Sequence, residues 1–426
     1  MERLTVYDRA ELATDVGPNP RHITVLLTLA GPAPGVDEVR RRMRRAVAAE
    51  PRLSARVRHR AARPPVWEPV PIDVPDHVTA RFTPGGDPVD VALDDLARPF
   101  PTGAPPWRLS VVDVGDPERS ALVWTSHHLL GNGPSLLGLL LETLGDVPRG
   151  SPWRTPGRPR VRAGSGTGPD SGPGSRAGGG TGSRSRSRAD DERPPRTGRA
   201  GRSPLVRPVT SGTVAVPVSV DAAAVRAGAR TCEATVNDAL LWAWARAYHR
   251  ADLARGGPGE QVALSVPATL PGTRFGNHLG TLRVAVPADL LGDPADGLAR
   301  LAARTRSAKR RLRPWAWPLA PFGARLVARL GLLPWFLRRQ RLISTVVTHA
   351  PGPPGPVRLV DVPLVATVPL VPLVGNVTTC VAALSISGRL DAAVLCAPES
   401  ADLVQTLADD LRDGLRQVAD LARRLP

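Results

Sequence analysis

The sequence predicts an α/β (α+β) fold in two halves separated by a disordered linker, and three features of the chain carry that expectation. HITVLLTLAG from His22 and SALVWTSHHLL read as strands, and segments such as VALSVPATL and AAVLCAPES alternate apolar and small residues as strands do. Others, including PGVDEVRRRMRRAVAAEPRL and ATVNDALLWAWARAYHRADLAR, repeat their apolar positions every three or four residues and are expected to be helices. Between the two groups, residues 149–208, with GSGTGPDSGPGSRAGGGTGSRSRSR at their centre, hold too few apolar side chains to offset the entropy of ordering them.

In the first half, residues 1–148, the strand at His22 leads into the amphipathic helix, and RLSVVDVG and SALVWTSHHLL follow as two further strands. The second half, residues 209–426, opens with the strand-like GTVAVPVSV and passes through the long ATVNDALL helix. Strand-like VALSVPATL, TLRVAVPADL, AALSISGRL and AAVLCAPES come next, and the amphipathic DLVQTLADDLRDGLRQVADLARRL closes the chain. A length of 426 residues is enough for each half to bury its own core, while 47 prolines and 41 glycines leave room for long irregular stretches.

Charge and cysteine usage set limits on partners. The net charge of +17 suits polyanions, but Lys309 is the only lysine, so an arginine bias of the whole sequence accounts for part of it. No aromatic residues interleave the linker arginines for base stacking, and no nucleic-acid partner is expected. Cys232, Cys380 and Cys396 form no C-x-x-C pair and are odd in number, which favours a cytoplasmic setting over a disulfide framework. MERLTVYDRAELATD carries acids and no apolar signal core. The apolar run from Leu359 is broken by Asp361 and several prolines, so membrane contact would be peripheral. The stretch KRRLRPWAWPLAPFGARLVARLGLLPWFLRRQRL joins arginines to Trp315, Trp317, Trp335 and Phe336, which fits either an interfacial surface or a packed helix pair. No histidine–carboxylate spacing suggests zinc, and neither metal nor redox cofactor is expected.

The chemistry concentrates at His127 and His128, where SALVWTS ends and Leu129-Leu130-Gly131-Asn132-Gly133 leads into the helix-like PSLLGLLLETL. A histidine at a strand end is held by the scaffold yet faces a crevice, and the glycines suit a tight turn. Adjacent residues on a strand point to opposite faces, so one imidazole reaches substrate and the other orients the loop. A neutral imidazole is suited to take a proton from an acceptor hydroxyl and return one to a leaving thiolate.

HHLLGNG resembles the H-H-x-x-x-D-G motif of the wax ester synthase/diacylglycerol acyltransferase family, shared with condensation domains and chloramphenicol acetyltransferases. The resemblance runs along both halves. LTVYDRAELATD with Asp8, VWEPVPIDVPDHV with Trp67 and His77, and Pro105-Pro106-Trp107 match the family before the linker; TVNDALLWAWARAYHR with Asn237 and Asp238, and FGNHLGTLRVAVPADLLGDP with Gly276, Asn277, Asp293 and Pro294, match it beyond. The resemblance implies two chloramphenicol-acetyltransferase-like subdomains with the motif at their interface. It implies transfer of a long-chain acyl group from acyl-CoA, a substrate rather than a cofactor, to diacylglycerol or a long-chain alcohol. His128 would be the base, His127 its structural partner and Gly133 the motif glycine. A membrane or lipid-droplet surface is a further candidate partner. Thr235-Val236-Asn237-Asp238 also has the pattern of a helix-start box, which offers Asp238 a structural role instead.

Three positions depart from the family pattern: Asn132 replaces the motif aspartate, Pro101 follows Phe100 where Leu-Asp is usual, and Thr348-His349 stands where Ser-Asn precedes Pro-Gly-Pro. His349 is a candidate substitute polar group near the site. The same departures favour an alternative, an impaired or inactive member that binds acyl chains or a protein partner, or one that acylates a different acceptor.

Overall fold

The computed structural model describes residues 2–15, 17–60, 63–148, 200, 202–269, 279–311 and 332–424. In the first half, β1 (Glu2–Arg3), α1 (Val6–Ala13), β2 (His22–Ala30) and α2 (Val36–Ala49) are followed by β3 (Ala55–Arg60) and β4 (Arg63–Pro69). Then come α3 (Val74–His77), β5 (Val78–Phe82), α4 (Pro88–Ala97), β6 (Trp107–Asp116), β7 (Arg119–His127) and α5 (Gly133–Leu144). The second half contains β8 (Val214–Asp221), α6 (Ala222–Thr231), α7 (Val236–Ala254), β9 (Gln261–Thr269), β10 (Leu279–Pro287) and α8 (Pro294–Arg311). It continues through α9 (Leu333–Arg339), β11 (Thr345–Pro351), β12 (Arg358–Leu359), β13 (Val362–Leu370), β14 (Thr379–Ile386), β15 (Arg389–Cys396) and α10 (Val404–Asp420). The mixed α/β class and the principal strands and helices expected from periodicity are present.

Two six-stranded sheets carry the site, in the orders β12-β13-β2-β7-β6-β5 and β10-β9-β11-β14-β15-β8. The first is not made from the first half alone. β13, from beyond the linker, pairs antiparallel with β2 from Leu364 opposite Leu29 to Leu370 opposite Thr24. A third, small sheet, β1-β4-β3, flanks them.

Burial explains the pattern of the strands. Every residue of β14 is buried, as is β7 from Ser120 onward, so both read as near-continuous apolar runs rather than alternating ones. The helix α7 is buried nearly all round, with Trp242 and Trp244 inaccessible, and its core spans α6, α10 and the second sheet. Gly228 on α6 permits a close crossing, because a Cβ there would overlap the Val418 carbonyl of α10. A further apolar cluster joins Val91, Val112 and Val123 of the first half to Val368, Ala382 and Leu395 of the second.

The composition placed residues up to 208 in the linker, and the structure corrects that end. Leu205 is buried in the second half's core, Ser203 Oγ lies 3.0 Å from Tyr248 Oη, and Thr378 donates to the Leu205 carbonyl. One apolar residue with two polar anchors is too sparse to stand out in a low-complexity tract. The rest of that segment, 149–199, lies outside the described residues, as do Trp315 and Trp317 and the family-like Gly276 and Asn277. The apolar run from Leu359 forms β13 and β14, and among the described residues no helix is long and apolar enough to cross a membrane.

Candidate functional site

β7 delivers the two histidines. His127, its last residue, pairs with His22 of β2, and its ring is fixed at both nitrogens: Nδ1 accepts from Leu129 N–H at 3.1 Å, and Nε2 lies 3.1 Å from Asp15 Oδ2. The Nδ1 contact assigns the proton of the neutral ring to Nε2, which then donates to the carboxylate. His127 is buried and acts on the loop that turns past it. His128 is turned the other way, and its backbone N–H donates to the Arg21 carbonyl at 2.9 Å.

A cavity of about 310 Å³ lies between the halves, and His128 lines it. Arg21, Ile23 and Val25 of the β2 region and Gly133 and Leu137 of α5 form one wall; Ser265 and Pro267 of β9, Thr348 and His349 of β11, and Ala382 and Leu384 of β14 form the other. The opening has a cause in the second sheet. β11 pairs with β9 only at Thr345 and Val346, then separates from it while staying paired with β14. The gap exposes the later residues of β11 to the cavity.

Charge at the site comes from the segment before β2. Arg21 binds Glu11 through Nε at 2.8 Å and a second nitrogen at 2.5 Å, and its backbone N–H reaches Asp15. Burial opposes ionisation of Glu11, but Arg21 and then the two histidines overcome it and lower its carboxyl to about 2. Burial likewise works against the charge on Asp15, and the His127 hydrogen bond with the neighbouring positive groups reverses it, so its pKa is lowered. At His128 burial is the strongest influence, Glu11 raises and Arg21 lowers the pKa, and the net shift is downward. Among the described residues, its buried Nδ1 has no hydrogen-bond partner.

Asn132 and Gly133 sit at the start of α5. Asn132 is the N-cap, accepting from Ser135 N–H at 3.0 Å, and is nearly inaccessible. A carboxamide satisfies an exposed helix amide as a carboxylate would, which is how this position keeps its geometry without the charge. Neither Gly131 nor Gly133 has a positive φ, so the turn does not require glycine for its backbone. Among the described residues a Cβ on Gly133 would meet nothing within 4 Å, and Gly133 lines the cavity.

His349 lines the cavity from β11, with Nε2 2.7 Å from Ser385 Oγ; burial and then Arg226 lower its pKa to about 4, keeping it neutral. Asn237 and Asp238 lie apart from it. Asp238 closes a capping box with Thr235 at the start of α7 and accepts from Thr305 of α8 at 2.7 Å. Other family-like positions also have packing roles. Asp8 and Thr5 cap α1 reciprocally, His77 lies 2.7 Å from the Trp107 carbonyl, Trp107 stacks on Trp124, and Asp293 accepts from Asp296 N–H beside Pro294 at the start of α8. Sequence reasoning passed over Glu11, Asp15 and Arg21. Their only local sign is the four-residue spacing of the two acids.

Residues 275–419 match the model of the WS/DGAT C-terminal domain. A wax ester synthase/diacylglycerol acyltransferase from Marinobacter aquaeolei VT8 superposes with a TM-score of 0.71 at 17% identity, over 99% of this chain and 100% of that one. The starter condensation domain of rhizomide synthetase, solved as a mutant in complex with C8-CoA, gives 0.64 at 12% identity over 100% and 97%. The condensation domain of the Monacolin K polyketide synthase gives 0.62 at 10% identity over 99% and 97%. A search of curated proteins found no sequence match. Over the whole chain the fold is that of the Marinobacter synthase and of the condensation domains. In sequence, the likeness to the wax ester synthase/diacylglycerol acyltransferase family is that of residues 275–419 to its C-terminal domain.

Proposed function

We propose that the protein transfers a long-chain acyl group from acyl-CoA to a hydroxyl acceptor, a long-chain alcohol or diacylglycerol, with His128 as general base. The observation that carries this is the placement of His128: at the end of a buried strand, lining a largely apolar cavity between the halves, and held by its own backbone to Arg21. Burial favours the neutral imidazole, the form a base requires at neutral pH. In the reaction, the acceptor hydroxyl gives its proton to His128 and its oxygen bonds to the thioester carbonyl carbon. The tetrahedral adduct collapses with cleavage of the carbon–sulfur bond, and the imidazolium proton passes to the departing thiolate, leaving ester and free coenzyme A.

The surface near the cavity suits a lipid substrate. Leu337, Gln340 and Ile343 line the cavity, while Leu332, Trp335, Phe336 and Leu342 beside them are exposed among Arg338, Arg339 and Arg341. Exposed aromatics with arginines fit peripheral contact with an anionic membrane or a lipid droplet, from which acceptor or acyl chain would enter.

The test is purified protein with radiolabelled palmitoyl-CoA and a panel of long-chain alcohols and diacylglycerol, reading ester and free thiol together. His128→Ala is expected to lower ester formation by roughly 10²–10⁴, the usual cost of removing a general base, with acyl-CoA binding retained. Equal turnover by wild type and His128→Ala, both folded and both binding acyl-CoA, would leave the binding-protein reading in its place.

A further inference from the structure

The cavity beside His128 does not stop at the second sheet. Side chains alternate along β11 and β14: Ala350 and Leu384 turn toward the first half, while Val347, Val381 and Ala383 pack on the helix side. His349 belongs to the second set, since its Nε2 lies 2.7 Å from Oγ of Ser385, which is in step with Val381 and Ala383. Yet His349 and Ala383 line the same cavity as Thr348 and Leu384. The cavity therefore enters the gap left where β11 parts from β9 after Val346, and reaches toward both faces of the sheet. We infer that this gap takes the pantetheine arm of the acyl-CoA, with His349 hydrogen-bonding an amide of the arm. The inference rests on acyl-CoA being the donor.

Two regions of the cavity differ in chemistry. Where α9 meets the segment before β14, Leu337, Ile343, Val374 and Val377 give an apolar wall that suits hydrocarbon chains. Gln340 also lines it, but its carboxamide is held by Asn376 and by the backbone of Leu342 and Ile343. In the gap, by contrast, the His349 ring bonds only Ser385 among the described residues, which leaves Nδ1 for a ligand. A neutral imidazole has one donor and one acceptor nitrogen, and the Ser385 hydroxyl can serve Nε2 in either sense. His349 Nδ1 can therefore meet an amide N–H or an amide carbonyl. An amide drawn from water into a narrow gap needs such a partner, whereas an alkyl chain gains nothing from it and would only desolvate the ring. Pantetheine is the long, thin, amide-bearing part of the substrates. A long-chain alcohol has a single polar group, and the esters of diacylglycerol sit beside the hydroxyl that meets His128.

The experiment measures, by calorimetry on the full chain, the binding of three unreactive ligands: S-octyl-CoA, S-octyl-pantetheine and 1-octanol, the last of which lacks the arm. His349→Leu is expected to weaken both thioethers about 5- to 10-fold, the effect of one net hydrogen bond, and to leave octanol unchanged. A merely structural role would move all three together, so equal losses would overturn the inference, as would thioether binding that does not change. A loss confined to octanol would also overturn it, by putting His349 on the hydrocarbon path. Ser385→Ala keeps the ring and removes its support; the same selective loss in smaller measure is expected, and this variant carries the test if His349→Leu does not fold. Turnover of palmitoyl-CoA separates this inference from acyl transfer itself. Wild type that binds S-octyl-CoA through His349 yet forms no ester would refute transfer and leave the place of the arm intact.

Discussion

Replacing Asp238 by alanine separates the two roles its sequence position offers. The carboxylate accepts from Thr235 N–H at 3.0 Å, from Thr235 Oγ–H at 2.7 Å and from Thr305 Oγ–H at 2.7 Å, and it is buried. Alanine removes the reciprocal half of the capping box, about 1 kcal/mol, and the charge-assisted bond to α8, about 1.5–3 kcal/mol. Thr305 keeps the Ala302 carbonyl as an acceptor at 3.0 Å, so its hydroxyl is not orphaned and no further penalty follows. The expected loss is about 2–4 kcal/mol. Asp238→Asn, which retains one acceptor oxygen, should fall between wild type and alanine. Trp242 and Trp244 lie buried on the same helix, so intrinsic fluorescence during urea unfolding reports the change directly. The folded fraction of Asp238→Ala should still form ester at the wild-type rate. Wild-type unfolding combined with lost ester formation would refute the structural assignment and return Asp238 to the catalytic machinery.

Three further outcomes follow from the site and its surface. Asn132→Ala should lose about 1 kcal/mol in urea unfolding through the vacated N-cap, whereas Asn132→Asp should unfold like wild type because a carboxylate also caps. His22 and His349 each have their pKa lowered to about 4, the first by burial, His127 and Arg108, and the second by burial and Arg226. The unfolded chain binds protons at about pH 6.5 that the folded one refuses, so stability should fall as pH drops from 6.5 toward 4, and His349→Asn should flatten that slope in unfolding curves taken across the range. Trp335→Ala with Phe336→Ala should weaken sedimentation with anionic vesicles, with residual binding that declines as salt rises, and should leave the unfolding curve in place because both side chains are exposed.

Much of this was legible in the chain because it is local. Strand and helix periods appear within ten or twenty residues, as with His22–Ala30 and Val236–Ala254, and the capping box at Thr235 and Asp238 spans only four. The histidine pair at the end of an apolar strand marked the site for the same reason: alternation along the strand sends one imidazole to the cavity and the other to its support. Other features have no local signature. Gly131 and Gly133 suit a tight turn, but that neither adopts a positive φ shows only in the backbone, and Leu205 lay hidden in a tract whose composition resembles the linker.

By itself, then, the sequence determined the elements, the family-like motif and the caps, since each depends on neighbours a few bonds or one helical turn away. Only the tertiary structure decided which charges surround the histidines and what walls the cavity. His127 meets Asp15 across 112 positions of the chain, and β13 crosses from the second half to pair with β2. β11 parts from β9 after two residues, which opens the space that His128 and His349 share. Such contacts are set by sheet order and register, where packing of whole faces outweighs any one residue's preference, and no periodicity in the chain encodes which distant carboxylate will arrive beside a given imidazole.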